Sequence, residues 1–132
     1  MPTGALPEST PVLTRHTRDS GVFVIAITGD LDTFGTASIE EAFQAALPDR
    51  TVDVVIDLSG VPFLTSRALA MFVVKAQAMK KGGGQLHLAG PRKMVRLVFE
   101  QAGFASLFPI YNSISEALEV IEAEQPKTDS NQ

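Results

Sequence analysis

The sequence predicts an α/β domain, and three observations carry that reading. Apolar, β-branched runs of strand length occur at 22–28 and 51–58, segments with helical spacing of apolar residues lie between such runs, and glycine or proline marks most of the joints. Strands alternating with helices of about 10–15 residues indicate a parallel or mixed sheet covered by helices. The chain has 132 residues, 45% of them hydrophobic and 20% charged, enough for one domain with its own core.

Each element follows from local chemistry. Residues 1–11 contain Pro2, Pro7 and Pro11 without periodicity and read as a loose leader to a domain spanning 12–124. Val12–Arg18 reads as an edge strand. VFVIAIT at 22–28 is a buried strand ended by Gly29, after which DLDTFG reads as a polar turn. Thr36 or Ser38 caps a first helix with Ile39, Ala42, Phe43 and Ala46 at helical spacing, and Pro48 closes it. TVDVVIDL at 51–58 is a second buried strand. A second helix runs from about Ser66 to Lys80, stopped by Gly82, Gly83 and Gly84, with Lys80 and Lys81 where the helix dipole favours cations.

QLHLA at 85–89 forms a third core strand. Pro91 suits the first turn of a third helix that uses Val95, Leu97, Val98 and Ala102 and ends at Gly103. Leu107–Tyr111 is a short last strand. Ser113 or Ser115 caps a final helix bearing Ile114, Ala117, Leu118 and Ile121, and the polar residues 125–132 read as a tail.

Composition narrows the function. Cysteine is absent, which removes disulfides, thiolate zinc sites and a cysteine nucleophile. Eleven basic against fifteen acidic residues give a formal charge of −4, the wrong sign for a nucleic-acid binder. No apolar run reaches the roughly 18 residues of a membrane span, and the N-terminus lacks a signal-peptide pattern, so the expectation is a cytoplasmic protein without direct membrane insertion. Phosphate-loop, dinucleotide, zincin and nucleophile-elbow motifs are missing. His16 and His87 lack a nearby third ligand, so no metal is expected, and no cofactor or enzymatic activity.

Two places hold candidate functional residues. Asp30 and Asp32 follow the first core strand, where ligands and partners of open α/β sheets gather; turn chemistry is the plainer reading of the same residues. At the start of the second helix, Thr65 and Ser66 are both candidate N-caps. That helix is apolar nearly all round. Leu69, Phe72, Val73 and Ala76 make one stripe, and Met71, Val74 and Ala78 with Arg67 define another face, which either lies buried or receives a partner.

The segment VVIDLSGVPFLTSRALAMFV resembles the central strand, loop and helix of STAS domains, the family of bacterial anti-sigma factor antagonists. GDLDTFG, GGGQLHLAGP and VRLVFEQAGFASLFPIYNSISEAL resemble further family segments in the right order, so the resemblance covers about 12–123. It implies a small, mostly parallel mixed sheet of four or five strands with about four helices mainly on one side. It also implies partner switching: binding a serine-kinase anti-sigma factor until that kinase phosphorylates a residue at the start of the second helix, and reset by a PP2C-type phosphatase. The family motif there is usually D-S-S/T-G-L, and here it reads Thr65-Ser66-Arg67-Ala68-Leu69. Ser66 matches the acceptor, with Thr65 as the alternative. The partner surface would comprise Asp30, Asp32, Thr33, Thr65, Ser66, Arg67, Met71 and Val74. A weak homodimer is left open. The alternative reading is a constitutive STAS-like subunit of a larger assembly, such as a lipid-transport ABC system or a sensory complex, without phosphorylation.

Overall fold

The computed structural model describes residues 11–47, 51–104 and 106–125. The leader up to residue 10, Pro48 and the tail from 126 lie outside the described residues. Five strands form one sheet in chain order: β1 (Val12–Thr17), β2 (Phe23–Thr28), β3 (Asp53–Gly60), β4 (Gln85–Ala89) and β5 (Ile110–Tyr111). β1 runs antiparallel to β2, and β2 to β5 are mutually parallel. The helices are α1 (Thr33–Ala46), α2 (Ser66–Gly82), α3 (Lys93–Gln101) and α4 (Ile114–Glu124).

Strand alternation divides the apolar residues between two faces. Val54, Ile56 and Leu58 of β3, with Leu86 and Leu88 of β4, enter the large core beneath α1, α2 and α3. Val55 and Ala89 face the other way and meet Ala117, Leu118 and Ile121 of α4. Three helices thus cover one face and the fourth covers part of the other, which agrees with helices lying mainly on one side. Phe72 of α2 ties the large core together. Its ring centroid lies 5.4 Å from that of Phe43 on α1 and 6.2 Å from that of Phe99 on α3, and Phe99 meets Phe108 at 5.1 Å.

Several boundaries differ from expectation for identifiable reasons. α1 begins at Thr33, inside the expected polar turn, because the Asp32 carboxylate accepts the Gly35 amide at 2.6 Å and caps it. Neither Thr36 nor Ser38 is the cap. Ala42 faces solvent. Pro91 precedes α3, whose N-cap position is Arg92, and β5 shrinks to two residues. Ser113 caps α4 by accepting the Glu116 amide at 3.0 Å. His87 is buried on the α4 face, bonded to Asp53 at 3.0 Å and to the Tyr111 hydroxyl at 3.2 Å.

α4 is held to the β1–β2 turn by charge. Glu122 accepts from Arg18 Nε and Nη2, each at 3.0 Å, and from Ser20 Oγ at 2.6 Å. These donors stabilise the carboxylate and hold its pKa at about 2, against an ordinary 4.5.

Truncating Phe72 to Ala should cost about 3–5 kcal/mol, read from urea unfolding. A carboxylate whose pKa is depressed by folding stabilises above its unfolded value and loses that contribution as pH falls toward its folded value. The urea midpoint of wild type should therefore exceed that of Glu122→Gln by a constant small margin at neutral pH. The margin should close as pH falls from about 4.5 toward 2. A margin that persists at pH 2 would mean the ion pair is not its source.

Candidate functional site

The parallel pairing of β2 and β3 does not stop at the strand ends. Gly29 N donates to Gly60 O at 2.9 Å, Leu31 N to Phe63 O at 3.3 Å, and Thr65 N to Leu31 O at 3.0 Å. Leu31 and Leu64 form a parallel bridge, and both side chains are buried. This ladder lays the 29–34 loop against the 61–66 loop, so that α1 and α2 start side by side at the carboxyl end of the sheet. Gly60 and Gly35 permit the close approach. A Cβ on Gly60 would meet the Thr28 side chain at 2.6 Å, and one on Gly35 would collide with the Asp30 carbonyl.

Asp30, Asp32 and Thr33 are thereby gathered with Thr65, Ser66 and Arg67. Their chemistry differs in detail from the sequence reading. Thr65 occupies the α2 N-cap position but caps nothing; its hydroxyl donates instead to Leu31 O at 3.3 Å. Ser66 is the first residue of α2. It is exposed, and its hydroxyl makes no hydrogen bond among the described residues. The start of α2 therefore has no side-chain cap among the described residues, beside a free hydroxyl, at the positive end of the helix dipole. Asp32 is committed to capping α1, which is the turn role also expected for it. Asp30 is half-buried. Arg67 Nη2 pairs with Glu40 Oε1 of α1 at 2.9 Å, and both side chains are about half exposed.

Farther along α2, Val74 is 62% exposed, but Met71 is only 5% exposed. Met71 is a correction. α2 lies between α1 and α3, so its buried arc is wider than one stripe and takes in Met71 as well as Phe72 and Ala76. A shallow cleft of about 320 Å³ between α1 and α2 is lined by Glu40, Gln44, Arg67, Ala70, Met71 and Val74.

Sequence reasoning missed Phe34, which is 85% exposed in the first turn of α1. Phe63, on the loop that pairs with Leu31, is also exposed. An aromatic residue near a helix start, here two positions after Asp32, reads as core from sequence alone. The available signal was its position, since Ile39 and Phe43 fix the buried stripe and Phe34 falls off it.

The STAS domain family matches residues 14–117. The chain belongs to the STAS domain family. Among its relatives, BtrV of Bordetella bronchiseptica, named as an anti-sigma factor antagonist, is 26% identical over 107 residues, covering 81% of this chain and 92% of that protein. The crystal structure of an anti-sigma factor antagonist from Mycobacterium paratuberculosis superposes with a TM-score of 0.77 at 25% identity, over 87% of this chain and 97% of that one. The Bacillus cell fate determinant SpoIIAA in its phosphorylated form shares the fold, with a TM-score of 0.62 at 18% identity, over 83% of this chain and 99% of that one. This STAS domain thus carries the expected small mixed sheet of its family, with its exposed serine at the start of α2.

Two substitutions separate capping from the rest of the site. Asp32→Ala should cost about 1 kcal/mol through loss of the cap. Ser66→Ala should stay within about 0.5 kcal/mol of wild type, because no bond is lost. Thermal unfolding of the two variants tests both values.

Proposed function

We propose that this STAS domain is an anti-sigma factor antagonist that binds a serine-kinase anti-sigma factor and is released when that kinase phosphorylates Ser66. The reading rests on one observation above the others: Ser66 is exposed, and among the described residues its hydroxyl is unbonded and its helix start uncapped, beside the loops carrying Asp30, Asp32 and exposed Phe34 and Phe63. Phosphorylation transfers the γ-phosphoryl group of ATP to Ser66 Oγ, with loss of the hydroxyl proton and release of ADP. A PP2C-type phosphatase returns the hydroxyl by hydrolysis, releasing inorganic phosphate. Thr65 is the less suitable acceptor, because its hydroxyl is half-buried and bonded to Leu31 O.

Electrostatics supports a switch that leaves the domain folded. A phosphoserine adds about −1.5 to −2 charges at pH 7. At the N-terminus of α2 it meets free amides and the positive dipole end, so α2 keeps its start. The partner meets something different. An interface shaped around a neutral hydroxyl would bury a new unpaired charge beside Asp30, at a cost of about 2–5 kcal/mol. That is a weakening of roughly 30- to several-thousand-fold. Phe34, Thr33, Arg67 and Val74 would supply the surrounding contact, with Phe34 as the aromatic anchor. Met71 would shape the floor of the α1–α2 cleft rather than a free face. The same reading makes the chain a regulatory binding module of the cytoplasm rather than an enzyme.

The test is affinity capture from a lysate of the source organism with wild-type, Ser66→Ala, Ser66→Asp and Phe34→Ala baits, with mass spectrometry of bait and prey. A serine kinase should be retained by Ser66→Ala, lost with Ser66→Asp and reduced at least about tenfold with Phe34→Ala. Wild-type bait should carry phosphate on Ser66. The same prey on the first three baits, with no phosphate at Ser66 or Thr65, would contradict the switch. It would indicate a constitutive subunit of a larger assembly.

A further inference from the structure

The described residues begin at Pro11, and the register of β1 fixes where that lies. Val12 pairs with Thr28, the last residue of β2, in an antiparallel ladder. β1 therefore starts where the parallel strands end, at the end of the sheet that carries the 29–34 and 61–66 loops. The chain leading into β1 thus arrives beside the candidate site and not at the opposite end. Pro11 also packs against α1. A Cβ on the buried Gly35 would lie 3.0 Å from Pro11 Cγ.

The residue next to that contact is Phe34, 85% exposed in the first turn of α1. Covering such a ring is the largest single apolar gain open to this end of the molecule. Ten residues, MPTGALPEST, precede Pro11. Met1 and Leu6 are their large aliphatic side chains, and Glu8 is their one charged side chain. Leu6 stands five residues before Pro11. At about 3.3–3.6 Å per residue, its backbone can be no more than about 18 Å from the Pro11 contact. Pro7 disfavours a helical backbone at Leu6, so local sequence favours an extended segment there.

We propose that the segment around Leu6 docks on Phe34, with the Leu6 side chain against the exposed ring. The place where the described residues begin selects this occupant. A side chain tethered five residues from its contact acts at an effective concentration in the millimolar range. A small apolar contact is then populated without the large area that a separate molecule needs to offset its lost freedom. A second copy of the chain has no such advantage. The docking itself does not depend on the reading of Ser66, but its consequence rests on that reading. Phe34 is the aromatic anchor of the surface that receives the kinase, so the kinase binds only chains in which Leu6 has left the ring. Its apparent affinity falls in proportion to the uncovered fraction. The segment before β1 thereby sets how readily the site accepts its partner.

The chain contains no cysteine, so Thr3→Cys places a nitroxide at one defined position of the whole chain. In amide NMR spectra that label should broaden residues 33–36. Adding Leu6→Asp to the labelled chain should remove most of the broadening, because the tether is unchanged while the apolar contact is lost. Phe34→Ala should remove it in the same way, and the exposure of that ring leaves the fold intact. Broadening that is absent, or that Leu6→Asp leaves as it was, would overturn the proposal; in the latter case only the tether is being read. Broadening between separate chains, one carrying the nitroxide and the other the isotope label, would assign the ring to a second copy and overturn it as well. The measurement uses no kinase, so its outcome is distinct from that of the Ser66 switch.

Discussion

The structure of the candidate site depends on one backbone constraint, the continuation of the β2–β3 ladder beyond the strands. Leu31 gives its amide to Phe63 and takes that of Thr65, while its side chain and that of Leu64 are buried. Two loops outside the regular strands are thereby fixed with the precision of a sheet. Buried Leu31 stands between the half-buried Asp30 and Asp32, the latter turned back to cap α1. A helix start is then set on each loop, and only one of them is capped. The asymmetry between a satisfied α1 terminus and an open α2 terminus is the chemical content of the site.

The open terminus suits a charge switch for a simple reason. Capped by a neighbouring carboxylate, α2 would repel a phosphate and lose a hydrogen bond on modification. With Thr65 bonded back to Leu31 and Ser66 unbonded among the described residues, no bond of theirs has to break when charge arrives. The free-energy change is then expressed at the partner surface and not spent on refolding. Arg67 fits the same logic, since its tie to Glu40 braces α2 against α1 from the exposed side.

The strands were legible in the sequence because β-branched runs at 22–28 and 51–58 leave few alternatives, and the second helix because three glycines end it. Ser66 was legible by its place at a helix start. What escaped depended on tertiary context. The start of α1 was hidden because Gly35 reads as a breaker, whereas its missing Cβ is what allows the turn to close on the Asp30 carbonyl. Met71 was misplaced because a central helix is buried on two flanks, a fact set by α1 and α3 and not by α2 itself. Phe34 was overlooked because its exposure depends on where that helix begins. Single-sequence periodicity describes one helix at a time, and each of these features belongs to a pair of elements.

The central claim is that Ser66 switches the domain by surface charge alone. Amide NMR spectra of the protein before and after stoichiometric phosphorylation test it most directly. The account predicts phosphate on Ser66, shift changes confined to residues 30–34 and 63–70, and an unchanged unfolding temperature. Phosphate elsewhere, or changes spreading through β3, β4 and α4 with loss of stability, would contradict it.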